Sequence, residues 1–215
     1  MRDIAVAKLA GYSLVLGPIL ALVCYFIQPG GILGIGGGTA DPTDSSAVVK
    51  LLADNPELGT LTSLLIPVGV LVFLSGIMFF VQNMAGGSGH AVARLGLPMV
   101  MGSIFGWVLS SAIAMAISAG VATDAGANMI FAINTIASLA FGAGLVLIAI
   151  GASTREEINS NLAYIATLSG VVVVVSSVVT AFSPDSAQDM NAVTGVAFIV
   201  GTLWFILIGR QLITD

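Results

Sequence analysis

Six long stretches of this chain carry almost no charge, and that constrains the fold more than any residue the chain contains. Only 8% of the residues are charged, and the mean hydropathy is +1.08. A helix needs about 20 mainly apolar residues to cross the roughly 30 Å hydrocarbon core of a bilayer. Stretches 9–28, 59–83, 92–119, 128–152, 161–182 and 191–212 all reach that length. Inside lipid no water answers the backbone N–H and C=O groups, so such segments fold as helices. The chain is expected to be all-α, an integral membrane six-helix bundle forming one domain over residues 1–215. No small-x-small cleavage pattern follows the first stretch, so it is expected to remain as a span.

The links between the stretches sort by charge. Arg2, Lys8, Arg94, Arg155 and Arg210 fall on one side, and only Lys50 on the other. That other side holds Asp41, Asp44, Asp54, Glu57, Asp124, Asp185 and Asp189. Basic residues accumulate on the cytoplasmic face of a membrane. Both termini (N-in/C-in) are therefore expected in the cytoplasm, in a multi-pass protein of the cell inner membrane. Tyr12, Tyr164 and Trp204 then fall toward the inner interface and Tyr25 toward the outer one, depths that amphipathic rings favour.

The one long link, 29–58, opens with the turn-prone PGGILGIGGGTA and continues DPTDSSAVVKLLADNPELG. Asp44 suits a helix cap, and Ala47, Val48, Leu51 and Leu52 share one face. Asn55-Pro56 should stop the helix, because a residue before proline disfavours helical backbone. A short amphipathic helix over about 44–54, in this first outer loop, is expected. The segment STREEINS at 153–160 is expected to cap the fifth span, through Ser153 or Thr154 with Glu156 or Glu157 behind it.

The composition excludes several kinds of chemistry. One cysteine, Cys24, leaves no internal disulfide and no cysteine-based metal site. One histidine, His90, makes no haem or copper centre alone, and the methionines at 78, 84, 99 and 101 read as gap-fillers. Serines are plentiful, but no histidine or lysine lies at membrane depth to activate one. No carboxylate lies inside a span to couple transport to protons or sodium. No basic cluster offers nucleic acid a surface. The expectation is no enzyme, no cofactor, no metal and no nucleic-acid partner.

Helices in lipid associate by close packing of small residues and by interhelical hydrogen bonds. In the third span Gly102, Gly106, Ser110, Ala114 and Ser118 recur every four residues. In the fourth, Ser138 and Gly142 offer a matching small face. These faces are expected to meet across the tight turn around Asp124. Ser111 and Asn134 reach similar depth, and a hydrogen bond from Asn134 to Ser110 or Ser111 is expected. Ser75, Ser176 and Ser177 are the other polar candidates to line a path.

The segment SSAVVKLLADNPELGTLTSLLIPVGVLVF, placed after one span and before a small-residue-rich set of five, resembles a bacterial six-helix membrane family known only as a domain of unknown function. The resemblance is architectural and implies a compact six-helix bundle with no assigned activity. Two functions follow from the residues. The first is a non-catalytic accessory or structural subunit, packed against other membrane protein subunits and the lipid bilayer. The alternative is a small transporter or channel for a neutral or lipid-like solute.

Overall fold

A computed structural model describes residues 2–31, 33 and 35–214, with side chains in the first helix from Val6 onward. The helices are α1 (Arg2–Ile27), α2 (Ser45–Asp54), α3 (Pro56–Asn83), α4 (His90–Ser118), α5 (Asp124–Ser153), α6 (Ser160–Phe182) and α7 (Ala187–Thr214). A single 3-10 turn, Pro184–Ser186, leads into α7. All but α2 are long and apolar enough to cross a membrane. Their 23 to 30 residues correspond to about 35–45 Å at 1.5 Å per residue.

The surface is as apolar as the interior, and hydroxyls share the interior with the apolar core. Leu9, Leu95, Phe105, Ile136 and Leu168 are more than half exposed, while Thr62, Ser103, Ser111, Ser169 and Ser176 are buried. Lipid removes the penalty for exposed leucine, and hydroxyls turn inward to find partners. Among the described residues, four of the eleven buried hydroxyl residues find one at home, whereas Ser63 and Ser103 are buried without a partner. Thr62 donates to the Leu58 carbonyl, Ser118 to Ala114 and Ser177 to Val173, each one turn back along its own helix. That carbonyl is always within reach in a helix.

The helix ends have local causes. Asp44 caps α2 by accepting from the Ala47 N–H. Asn55 is all that separates α2 from α3, and Pro56 takes the first helical position, where a missing N–H costs nothing. Gly89 precedes α4 at φ +74° and Gly120 follows it at φ +72°, both left-handed backbone that glycine adopts freely. The expected cap from STREEINS is displaced. Ser153 and Thr154 close α5, and Asn159 caps α6 by accepting from Asn161 N–H and Leu162 N–H.

The six long helices form a ring. Each packs on its neighbour in chain order, α1 on α3, then α4, α5, α6 and α7, and α7 closes on α1. One end of the ring carries both chain termini and the links 84–89 and 154–159, and is called here the terminal end. The other, the loop end, carries residues 28–55, 119–123 and 183–186. There α2 lies across α3, α4 and α5, with Leu52 buried in a small cluster with Ala114, Ile117 and Ala127.

Paired glycines set four seams of the ring. A Cβ added to Gly11 would lie 2.6 Å from the Gly209 carbonyl oxygen, sealing α1 to α7. Gly17 and Gly69 do the same between α1 and α3, each 2.8 Å from the other's oxygen. Gly96 meets Gly144 at 2.6 Å between α4 and α5, and Gly142 meets Gly170 at 2.8 Å between α5 and α6. Only glycine permits backbones this close.

The expected small face of α4 is corrected by this geometry. Successive i+4 positions advance about 40° around a helix, so a stripe of five turns through about 160°. Gly102 is exposed, with nothing within 4 Å of where its Cβ would be. Gly106 faces α5, 3.0 Å from the Ala137 Cβ. Ser110 and Ala114 face the interior of the ring, and Ser118 faces Gly59 of α3. Gly142 turns away from α4 to α6, and Ser138 faces the interior.

Candidate functional site

A ring of six helices leaves space on its axis, and the two halves of this ring treat that space differently. Toward the terminal end it is filled. Phe73 packs edge-on against Phe205 at 5.0 Å, Phe205 against Trp204 at 4.8 Å, and Trp204 against Phe80 at 6.2 Å. Leu14, Ile77, Ile104, Leu145 and Ile148 complete this core with no exposure at all. Trp204 belongs here, 4% exposed and turned into the bundle against Phe80, near the terminal end of α3.

Above this core lies a second aromatic layer. Trp107 of α4, Phe141 of α5 and Phe198 of α7 form a triangle with ring centroids 5.2–5.5 Å apart. Phe73 of α3 joins Phe141 at 6.4 Å. Tilted and edge-to-face contacts of this kind favour a fixed arrangement of the rings. The layer is the floor of a cavity of about 210 Å³ that opens from it toward the loop end.

All six long helices line that cavity. α1 supplies Pro18 and Tyr25, and α3 supplies Ile66 and Val70. α4 adds Ser110 and Ser111, α5 adds Asn134, Thr135 and Ser138, α6 adds Ser177 and Thr180, and α7 adds Asn191, Thr194 and Thr202. Among the described residues, the lining contains no charged side chain. Ser110, Ser111 and Asn134 come together here as their depth implied, and Ser138 and Ser177 join them. The expected bond from Asn134 to Ser110 or Ser111 is not formed; all three residues line the cavity. Ser75 instead points to lipid and donates to the Leu71 carbonyl, and Ser176 is buried outside this lining.

A second space of about 350 Å³ sits over the first at the loop end. Its walls are the glycine-rich segment around Gly30, Gly31 and Thr39, Val48 and Leu52 of α2, and Gln188 and Asp189 of α7. The two spaces share Tyr25, Gln28, Ala114, Ile130, Asn134 and Asn191. These six residues make a collar between vestibule and cavity. Three of them are carboxamides, carried by α5, α7 and the residue just beyond α1. Among the described residues, neither these carboxamides nor the Tyr25 hydroxyl is engaged in a side-chain hydrogen bond; the hydroxyls of Thr135 and Ser177 nearby donate to Phe131 and Val173. The sequence singled out Asn134 but missed Gln28 and Asn191, which lie at helix ends where polar residues are unremarked.

Charge is confined to the two ends of the ring. At the loop end Lys50 pairs with Asp54. The carboxyl of Asp44 is held below its ordinary range by the Ser46 hydroxyl and the Ala47 N–H. At the terminal end Arg155 pairs with Glu157 at 3.3 Å and reaches the Met84 carbonyl, while Ser88 donates to the Thr154 carbonyl. These contacts tie link 84–89 to link 154–159. The Glu157 carboxyl is lowered by its own backbone N–H and by the Arg155 guanidinium. Among the described residues no three His, Cys, Asp or Glu side chains converge. The methionines disperse: Met84 is buried, Met78 and Met101 flank the core, and Met99 is exposed. Arg2 carries part of the charge asymmetry, but its side chain lies outside the described residues.

Comparison with family models, with curated proteins and with solved structures returns no match.

Proposed function

We propose that this membrane protein binds a small neutral solute in the cavity above the aromatic floor and carries it across the bilayer. The cavity is the observation that supports this reading. A bundle with only a scaffolding role would gain by filling it. The lining is instead polar where the six helices converge, which suits hydration by several waters or one solute. A lining without charge favours a neutral molecule, since an ion would lose its hydration without gaining a counter-charge.

The contrast with the accessory-subunit reading rests on the same point. Contact with partner subunits would draw on the outer faces of the helices, and those faces carry the large apolar residues that lipid accommodates. The charge split supports an orientation with both termini cytoplasmic and the vestibule facing outward, in a bacterial inner membrane. Solute would enter past α2, pass the collar and rest on Trp107, Phe141 and Phe198. Release inward would require the floor to part, as in carriers that open one side at a time.

Purified protein in liposomes tests this. Stopped-flow light scattering should show faster entry of glycerol or acetamide than into empty liposomes, and Asn134→Trp, which fills the cavity, should abolish the difference. Equal rates for wild-type and empty liposomes, with no thermal stabilisation by either solute, would overturn the proposal.

A further inference from the structure

We propose that the site is built for one aromatic ring bearing a neutral carboxamide, with the ring on the floor and the amide in the collar. This rests on the solute-binding reading above and assigns its ligand class. Size is the first argument. An engineered apolar cavity of about 150 Å³ holds benzene. The cavity here is about 210 Å³, enough for a six-membered ring with a short substituent.

The second argument is the chemistry of the floor and the collar, in a cavity whose wall also carries the hydroxyls of Ser110, Ser111, Ser138, Thr180 and Thr194. The floor is aromatic, with Trp107, Phe141 and Phe198 already in tilted and edge-to-face contact. A ligand ring added to such a layer extends the same geometry, favoured beyond the burial of its area. The collar is made of carboxamides. Gln28, Asn134 and Asn191 each present two N–H donors and one carbonyl acceptor. A ligand carboxamide offers the same set and pairs in both directions. A hydroxyl or ketone would leave part of the collar's donor and acceptor set without a ligand partner.

The third argument is exclusion. Among the described residues, no charged side chain lines the inner cavity, and Asp189 reaches only the vestibule. Benzoate and protonated benzamidine match benzamide in shape but carry a charge into a site with nothing to balance it.

The test is calorimetric titration of the intact protein in nanodiscs with benzamide, toluene, acetamide, cyclohexanecarboxamide, benzoate and benzamidine. Benzamide should bind saturably. It should exceed toluene and acetamide by about tenfold, from one or two hydrogen bonds or the ring contact respectively. It should exceed cyclohexanecarboxamide severalfold and both ions by about a hundredfold or more. Asn191→Leu and Asn134→Leu should each erase the preference over toluene while leaving toluene binding intact. Retained toluene binding also shows that the variant is folded, and each variant stands in for the other if one fails to fold. Acetamide binding as tightly as benzamide would overturn this inference and leave the solute-binding proposal standing. Benzoate or benzamidine binding as tightly as benzamide would overturn both, and so would failure of every neutral probe to bind.

Discussion

At the contact between Gly11 and Gly209, one added carbon would sit 2.6 Å from a carbonyl oxygen. The ring depends on such points, and each can be tested alone. Gly209→Val should force α7 from α1 and cost about 1–3 kcal/mol through overpacking, read as a lower thermal midpoint in detergent. Gly102→Ala is the internal control. Its added methyl meets nothing within 4 Å, and alanine should gain about 0.5–1 kcal/mol in a helix interior. A midpoint unchanged by Gly209→Val, or lowered by Gly102→Ala, would show that the seams lie elsewhere. The sequence made small residues conspicuous but not their facing. Gly102 and Gly106 are equivalent by spacing, yet one meets lipid and the other Ala137, because a period of four drifts around a helix of 3.6 residues per turn. Gly11, Gly17 and Gly209 carry no repeat at all, so nothing marked them as closures.

The separable element is α2. It is held to the ring by Leu52, 3% exposed, and started by the Asp44 cap. Leu52→Ala should weaken its docking by about 2–5 kcal/mol. Hydrogen exchange over 45–54 should accelerate while α3 to α7 keep their protection. The cap adds a pH dependence. Asp44 is held below its ordinary range in the folded protein, so its contribution is present at neutral pH and lost as pH falls through that lowered value. A spin label on exposed Ala53, with Cys24→Ser as background, should gain mobility as the pH drops below the ordinary aspartate range. Asn is also a good cap, so Asp44→Asn should hold the helix and flatten the response. Mobility that falls on acidification would reverse the assignment. The limits of this helix were legible in the sequence almost to the residue, because an Asp cap and Asn-Pro are local signals. The α6 cap was misplaced by six residues or so, since Ser, Thr and Asn crowd that link and any of them can cap.

Across the whole molecule, the number of long helices followed from charge and hydropathy, while α1 begins seven residues before the expected span. Closure into a ring did not follow, since α1 and α7 meet from opposite ends of the sequence. The cavity was half legible. Depth brought Ser110, Ser111 and Asn134 to one level, but the aromatic floor beneath them is assembled from residues on four helices with no pattern in common. Orientation is tested by labelling. With Cys24→Ser as background, Ser45→Cys and Ser186→Cys should react with an impermeant thiol reagent in whole cells, and Ser88→Cys only after lysis. Labelling of Ser88→Cys in intact cells would invert the proposed topology.

The ring of helices forms a cup, hollow at the loop end and stoppered by aromatic rings. Reactivity of single cysteines toward a small neutral maleimide measures it directly, in the protein with Cys24→Ser. Asn134→Cys and Thr194→Cys line the cavity and should react readily, and excess benzamide should slow both. Ile77→Cys and Leu145→Cys lie beneath the floor with no exposure and should stay unreacted until the protein is denatured. Asn134→Cys as inert as Ile77→Cys would show that there is no cup, and Ile77→Cys as reactive as Asn134→Cys would show that there is no stopper.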